Sequence, residues 1–295
     1  MTLAGCSQST AYTPETLNPT VSSPTIGKDN TLRVGIGGGA PFYVSTNSSS
    51  AASGLDVDMA AALADQLGLK LEVVSLGTGE VDVQSALAKG DVDIVMSATS
   101  SDKGDSVWVS DPYTQTGIAL FASPGTAAPS KSDAPKIAAQ SSSTSAWAVT
   151  NAFGEDALVA NSDLLSALSS VETKSATYVA ADAVIGSYAA LGQNVDVEPV
   201  AVLGTVGGYG VAVSASNTDL QKAVSDALAT ISGNGVANVV CSKWLGSAID
   251  LSSLPVIEVS TSKASSAKTS DSDESSSEKT GADTSAPEDS SVSTD

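Results

Sequence analysis

No histidine occurs anywhere in the 295 residues. That excludes histidine general bases, histidine-containing triads and histidine-ligated metal sites. Cysteine is nearly absent as well: Cys6 and Cys241 are the only two, too few for a cysteine zinc site or a disulfide framework. Bases are scarce, 13 against 33 acids, for a net charge of −20. Most of that excess, −13, lies between residues 32 and 253, where 22 acids meet 9 bases. A nucleic-acid backbone needs a basic face, so no nucleic-acid partner is expected. No apolar run reaches the roughly 18 residues that cross a bilayer as a helix. With 41% hydrophobic residues the chain still has apolar material for one large or two small folded domains.

What is present organises around Gly54–Lys103. Asp56 sits where an N-cap belongs, Ala60–Leu67 are strong helix formers, and Gly68 stops them as a C′ residue. Leu69–Ser75 reads as a strand, Val83–Lys89 as a second helix stopped by Gly90, and Val92–Met96 as a continuous apolar strand. With Thr31–Ile36 in front the pattern is β-α-β-α-β, which implies a parallel sheet covered by helices. Ligands bind such sheets beyond the carboxyl ends of the strands. Here those ends carry Gly37–Phe42 and Ser97–Ser101, a rim of backbone amides, hydroxyls and one aromatic.

A second α/β pattern begins at Lys136–Gln140. Ser141–Thr144 leads into a helix over Ser145–Phe153, where the hydroxyls read either as a plain N-cap or as part of an anion site. Ala157–Ala160 and Ala176–Ala181 read as strands, the latter ending in Asp182 on the rim of a parallel sheet. Val195–Val202 and Tyr209–Val213 read as two strands separated by glycine-rich Gly204–Gly208, a crossing between lobes. Asp219–Ile231 is an amphipathic helix with Leu220, Val224, Ala227, Leu228 and Ile231 on one side. Val236–Leu245 closes the body, and Cys241 within it reads as a small core residue.

At the chain start Leu3-Ala4-Gly5-Cys6 resembles a bacterial lipobox, which implies that Cys6 carries the lipid of an anchored mature protein. Only two residues precede it, so either the reading frame starts further upstream or the match is accidental; the anchor is the expectation. Residues 1–30 are therefore assigned to lipobox and flexible tether. Residues 251–295, mostly Ser, Thr, Asp, Glu, Lys and Ala, read as a disordered acidic tail.

Several stretches together resemble the family 3 extracellular solute-binding proteins, the amino-acid-type receptors of ABC importers. They include Leu32-Arg33-Val34-Gly35, Ala40-Pro41-Phe42, Gly54-Leu55-Asp56-Val57-Asp58 and Gly90-Asp91-Val92-Asp93. Ser110-Asp111-Pro112-Tyr113, Gln140–Thr144, Val179–Asp182, Tyr209–Val213 and Lys243–Gly246 continue the series over about 215 residues. The resemblance implies an α/β, two-lobed periplasmic-binding-protein-like fold of type II, with two crossings and a ligand cleft between the lobes. Residues 31–114 and 207–250 would form the first lobe and 115–206 the second. It implies hinge closure over a small polar ligand, an amino acid or similar, and delivery to an ABC permease. The protein would act as a monomer on the extracellular face of the membrane, with no cofactor, metal or catalytic residue.

The resemblance places Asp182 on a ligand amino group, and Ser143 and Thr144 as ligand hydroxyls of the second lobe. On the first lobe it places Phe42, Ser97, Ala98, Thr99 and Ser100, with Lys103 where the family carries an arginine for the ligand carboxylate. Lysine lacks the bidentate fork, so the replacement is not conservative. Each residue also has a plainer reading: Phe42 and Trp108 as packing, Lys103 as a solvated loop charge, Asp182 as a helix cap. Two other classes stay open, a surface sensor or adhesin that kept the fold, and a dehydratase-like enzyme using Lys103 and Asp182.

Overall fold

The computed structural model of the chain describes residues 17–44, 52–78 and 81–260. Cys6, most of the polar stretch Ser45–Ser53 and everything after Ser260 lie outside the described residues. β1 (Thr31–Ile36), α1 (Leu55–Gln66), β2 (Lys70–Ser75), α2 (Val83–Ala88) and β3 (Ile94–Ala98) follow in the order expected. The strands run parallel as β2-β1-β3, with Val34 opposite both Val73 and Ile94. Gly68 and Gly90, at φ 69° and 74°, turn the chain out of the two helices where a side chain would be strained. α1 buries Met59, Ala60 and Leu63 against the sheet and against Leu220 and Val224, which lie further along the chain.

Asp56 is not the N-cap. Gly54 holds that position without a side-chain bond, and Asp56 lies inside the first turn, fully buried. The loop ahead of the helix explains this: the amides of Leu55 and Asp56 donate to the carbonyls of Pro41 and Phe42 at 2.8 and 3.2 Å. Helix amides satisfied by that backbone need no capping side chain. Gly54 makes the approach possible, since at φ 147° a Cβ would lie 2.0 Å from the Phe42 carbonyl oxygen. Gly54→Ala is therefore expected to cost about 2–4 kcal/mol in urea unfolding. Gly192→Ala, exposed in a helix with open space around it, is expected to gain up to about 1 kcal/mol. Equal effects at the two glycines would refute this account.

β4 (Val107–Val109) and β5 (Thr114–Ala122) come next. β6 (Ile137–Gln140), α3 (Thr144–Phe153), β7 (Leu158–Asn161), α4 (Leu164–Glu172), β8 (Tyr178–Asp182) and α5 (Ala183–Gln193) form the second α/β run. β9 (Glu198–Ser214), α6 (Thr218–Gly233), α7 (Val236–Leu245) and β10 (Val256–Ile257) complete the described chain. β7, β6 and β8 pair in parallel, and β8, β5 and β9 then pair antiparallel. Phe121 on β5, 1% exposed, packs with Leu168 and Val179 in this second group, a burial that contributes about 2–3 kcal/mol.

Where two strands and a glycine break were expected, β9 is one strand of 17 residues. Its first part, from Glu198 to Tyr209, pairs with β5, and its last residues pair with β3 and β4. Ladders on both sides override the local glycine signal. The glycines permit close approach instead: a Cβ on Gly208 would stand 2.4 Å from Pro112 Cβ.

The tether expected through Asn30 is packed over its described part. Ile26 is 1% exposed in the first core, Thr20 N–H donates to the Leu67 carbonyl at 3.0 Å, and Asn217 Nδ2 donates to the Thr25 carbonyl at 2.8 Å. One isoleucine without a period gives no pattern to read, yet it suffices as an anchor. Residues 251–257, expected as part of the tail, are packed as well. Leu251 is fully buried beside Phe121, its N–H donates to Gln115 Oε1 at 2.7 Å, and β10 pairs with Val202–Leu203 of β9. The chain thus passes between the strand groups three times rather than twice: into β5, along β9, and after α7.

Candidate functional site

Ser97, the penultimate residue of β3, is held at φ 57°. Its hydroxyl points inward, donating to Asp56 Oδ2 at 2.7 Å, while its N–H donates to the Tyr113 hydroxyl at 3.1 Å. Tyr113 in turn donates to Asp56 Oδ1 at 2.6 Å. Asp56 is fully buried with no basic partner among the described residues, and burial pushes its carboxyl up to about 7, although both hydroxyl bonds favour the ionised form. Ala98 is buried. Thr99 caps the 3₁₀ turn Ser100–Asp102, its N–H and hydroxyl donating to Asp102 Oδ2 at 2.7 and 2.9 Å. Ser100 and Lys103 are exposed, and Lys103 forms no ion pair among the described residues.

On the second lobe Ser143 is the N-cap of α3: its hydroxyl accepts from Ala146 N–H at 3.1 Å and donates to the Gln140 carbonyl at 2.7 Å. Thr144, the first helical residue, is exposed. Asp182 ends β8 and caps α5, with Oδ1 accepting from the amides of Val184 and Ile185, both at 3.0 Å. Oδ2 accepts from the Thr116 hydroxyl at 2.5 Å and the Tyr209 hydroxyl at 3.4 Å. Burial raises its carboxyl above the usual range against the pull of those bonds. Ser143, Thr144 and Asp182 share a concavity of about 180 Å³ with Ile118, Leu164 and Ile185. Its walls come from the second lobe; Ser97–Lys103 stand outside it.

Volume does not select the site. Hollows of about 490 Å³ beside α6 and about 590 Å³ beside Trp147 are larger. The first lies away from the carboxyl ends of the parallel strands, where the fold collects its loops, and the second is lined by Gly204–Val206 of β9 and the residues after β10.

Between the lobes, the start of β5 pairs with β9 so that Thr114 faces Tyr209 and Thr116 faces Gly207. Hydroxyls of Thr116 and Tyr209 on these crossing strands, and of Tyr113 just before β5, reach two carboxyl groups, the buried Asp56 on the first lobe and the half-buried Asp182 on the second. Phe42 packs edge-on against Tyr209 with centroids 5.1 Å apart. Both belong to a cluster in which Leu55 and Leu245 meet Val184 of α5. Tyr113, Thr116 and Tyr209 were missed as site residues. Two lie in stretches singled out above, but which carboxyl group each would find depends on pairing 27 to 66 residues apart.

The chain's one arginine, Arg33, is far from this rim in function and place. At the amino-terminal half of β1 it grips Asp93 through Nη2 at 2.6 Å and Nε at 3.2 Å, and donates from Nη1 to the Gly90 carbonyl at 2.7 Å.

A sequence model described as bacterial extracellular solute-binding proteins, family 3, matches residues 32–247. No curated protein matches. Among solved structures, an ancestral cationic amino acid solute-binding protein is 26% identical, with 73% of this chain and 96% of that one covered and a TM-score of 0.60. The L-cystine solute receptor of Neisseria gonorrhoeae, in its unliganded open conformation, is 24% identical over 74% and 94%, TM-score 0.60. A polar amino acid ABC uptake transporter substrate-binding protein from Streptococcus thermophilus is 19% identical over 75% and 89%, TM-score 0.63. The last two are likenesses of fold.

Proposed function

Because the chain belongs to the bacterial extracellular solute-binding proteins of family 3, we propose that it is a lipid-anchored receptor that captures a small polar solute and delivers it to the permease of an ABC importer. Residues 31–114 with 207–248 form one lobe and 115–206 with 249–257 the other, bringing the last buried segment to the second core. The cleft lies between Thr99, Ser100 and Lys103 on one side and Ser143, Thr144 and Asp182 on the other. Cys6 carries the anchor, on the strength of Leu3-Ala4-Gly5-Cys6.

The observation that carries this reading is the construction of the crossing. Two glycine-bearing strands connect the lobes, and each lobe offers one carboxyl group, Asp56 or Asp182, to the hydroxyls along them. Short strand segments of this kind can absorb the dihedral changes of hinge closure while each lobe moves as a body. A solute held by both walls then stabilises the closed form, which a permease reads. No residue is assigned a catalytic role.

Binding to the folded state alone predicts thermal stabilisation of about 2.7 kcal/mol at a hundredfold excess over Kd. A melting-temperature screen against amino acids, small amides, polyols and sugars should give a reproducible rise with at least one class. A flat response across all of them would remove the receptor reading.

A further inference from the structure

Resting on the receptor reading, the first lobe must turn Thr99, Ser100 and Lys103 toward Ser143, Thr144 and Asp182. One irregularity just ahead of that rim decides which way it faces. From Val95 to Ala98 β3 takes three steps, while β9 takes two from Ala212 to Gly210. An extra residue of this kind is a bulge. Because strand side chains alternate, it turns every later residue to the opposite face.

Inside the bulge Ser97 stands at φ 57°, a left-handed conformation that residues with a Cβ seldom adopt. Such strain persists where the surroundings over-determine it. Both donors of Ser97 are taken up, the N–H by the Tyr113 hydroxyl at 3.1 Å and its own hydroxyl by Asp56 Oδ2 at 2.7 Å. Tyr113 closes the triangle on Asp56 Oδ1 at 2.6 Å. Neither anchor belongs to the rim. The Tyr113 ring is packed in the first core and its N–H donates to the Tyr209 carbonyl at 2.9 Å, while Asp56 is fixed in the first turn of α1. Tyr113 also stands immediately before β5, where the chain crosses to the second lobe.

We propose that Tyr113, seated on Asp56, is a positioning residue for solute binding: it holds Ser97 in the left-handed bulge that turns Thr99–Lys103 into the cleft.

Without the Tyr113 hydroxyl, Ser97 is free to return toward extended backbone. Apparent affinity then falls with the fraction of molecules whose rim is correctly turned. Ser97→Gly, by contrast, reaches φ > 0 without support.

Titration calorimetry on the full chain, with the common L-α-amino acids as probes, tests this. Tyr113→Phe should raise the Kd of the tightest-binding amino acid by about tenfold or more. Made in a Ser97→Gly background, the same change should raise it less than about threefold, a coupling that a role in stability alone would not produce. Ser97→Thr keeps the hydroxyl but resists φ > 0 through its branched Cβ. It should weaken binding by about tenfold or more, and serves if Tyr113→Phe does not fold. Tyr113→Phe or Ser97→Thr binding as the wild type does overturns the proposal and leaves the receptor reading intact. So does a loss at Tyr113→Phe that is equal in both backgrounds. Absence of heat from every amino acid overturns the receptor reading for amino acids, and the proposal with it.

Discussion

Replacing Asp56 by asparagine is expected to remove a component of the pH dependence of stability worth up to about 4 kcal/mol. The carboxyl is fully buried, its partners are the hydroxyls of Tyr113 and Ser97, and it is pushed up from 3.8 to about 7. Three pKa units at about 1.4 kcal/mol each set the scale. Between about pH 4 and pH 7 the folded protein keeps this proton while the unfolded chain has lost it. Stability from this group is therefore fully present below pH 4, falls as pH rises, and levels off above 7. Asparagine has the same shape and no proton to lose, and its amide can meet the same two hydroxyls. The stability of Asp56→Asn minus that of wild type should thus climb between pH 4 and 7 and then stay flat. Urea titrations across that range would show it, and a difference that does not vary with pH would sink the assignment. Exposed caps such as Asp82 and Asp163, whose carboxyls are held below the usual range by their serine and backbone bonds, titrate in both proteins and cancel in the difference.

The second large effect is expected at Asp93. Its carboxylate receives Arg33 Nη2 and Nε together with the backbone amides of Arg33 and Gly27, at 2.6 to 3.2 Å. The two side chains are 17% and 4% exposed, so this pair is largely withdrawn from water. Asp93→Ala leaves a guanidinium and two amides without their acceptor, a loss of about 3–5 kcal/mol. It also releases Gly27, and with it the segment that seats Ile26 in the first core. The pair Lys222–Asp226 looks similar in distance, 2.5 Å, but its side chains are 77% and 66% exposed. Asp226→Ala should cost less than about 0.5 kcal/mol. Urea midpoints compare the two directly, and a loss below 1 kcal/mol at Asp93 would contradict the burial argument.

The helix and strand order of the first lobe was legible because its signals are local. Gly68 and Gly90 stop the helices, the apolar faces of α1 and α6 repeat with the helical period, and β-α-β connections of that length leave little choice of topology. The face expected for α6, from Leu220 to Ile231, is the one buried. Strand ends were less accurate: β3 runs Ile94–Ala98, two residues beyond the expected Val92–Met96, so that Ser97 falls inside the strand rather than after it. Cys241 is a buried free thiol pushed up by its surroundings, in keeping with a packing role.

The site was legible only in its outline. Asp182 shows why: its place at a strand end before a helix is written locally, and so is its capping role. The donors that fill its other oxygen come from Thr116 and Tyr209, 66 and 27 residues away. Asp56 makes the same point in reverse, since the local pattern of a cap is overruled by a loop backbone that satisfies the helix amides first.

By itself, then, the sequence determined the α/β class, the run of elements, the family and the exclusion of histidine chemistry, because composition, period and turn residues act over a few positions. Tertiary structure decided which hydroxyls Asp56 and Asp182 meet, that β9 is one strand rather than two, and that Ile26 and Leu251 are core. Those outcomes depend on which hydroxyls, amides and apolar surfaces a distant part of the chain brings within contact, and no local pattern encodes that.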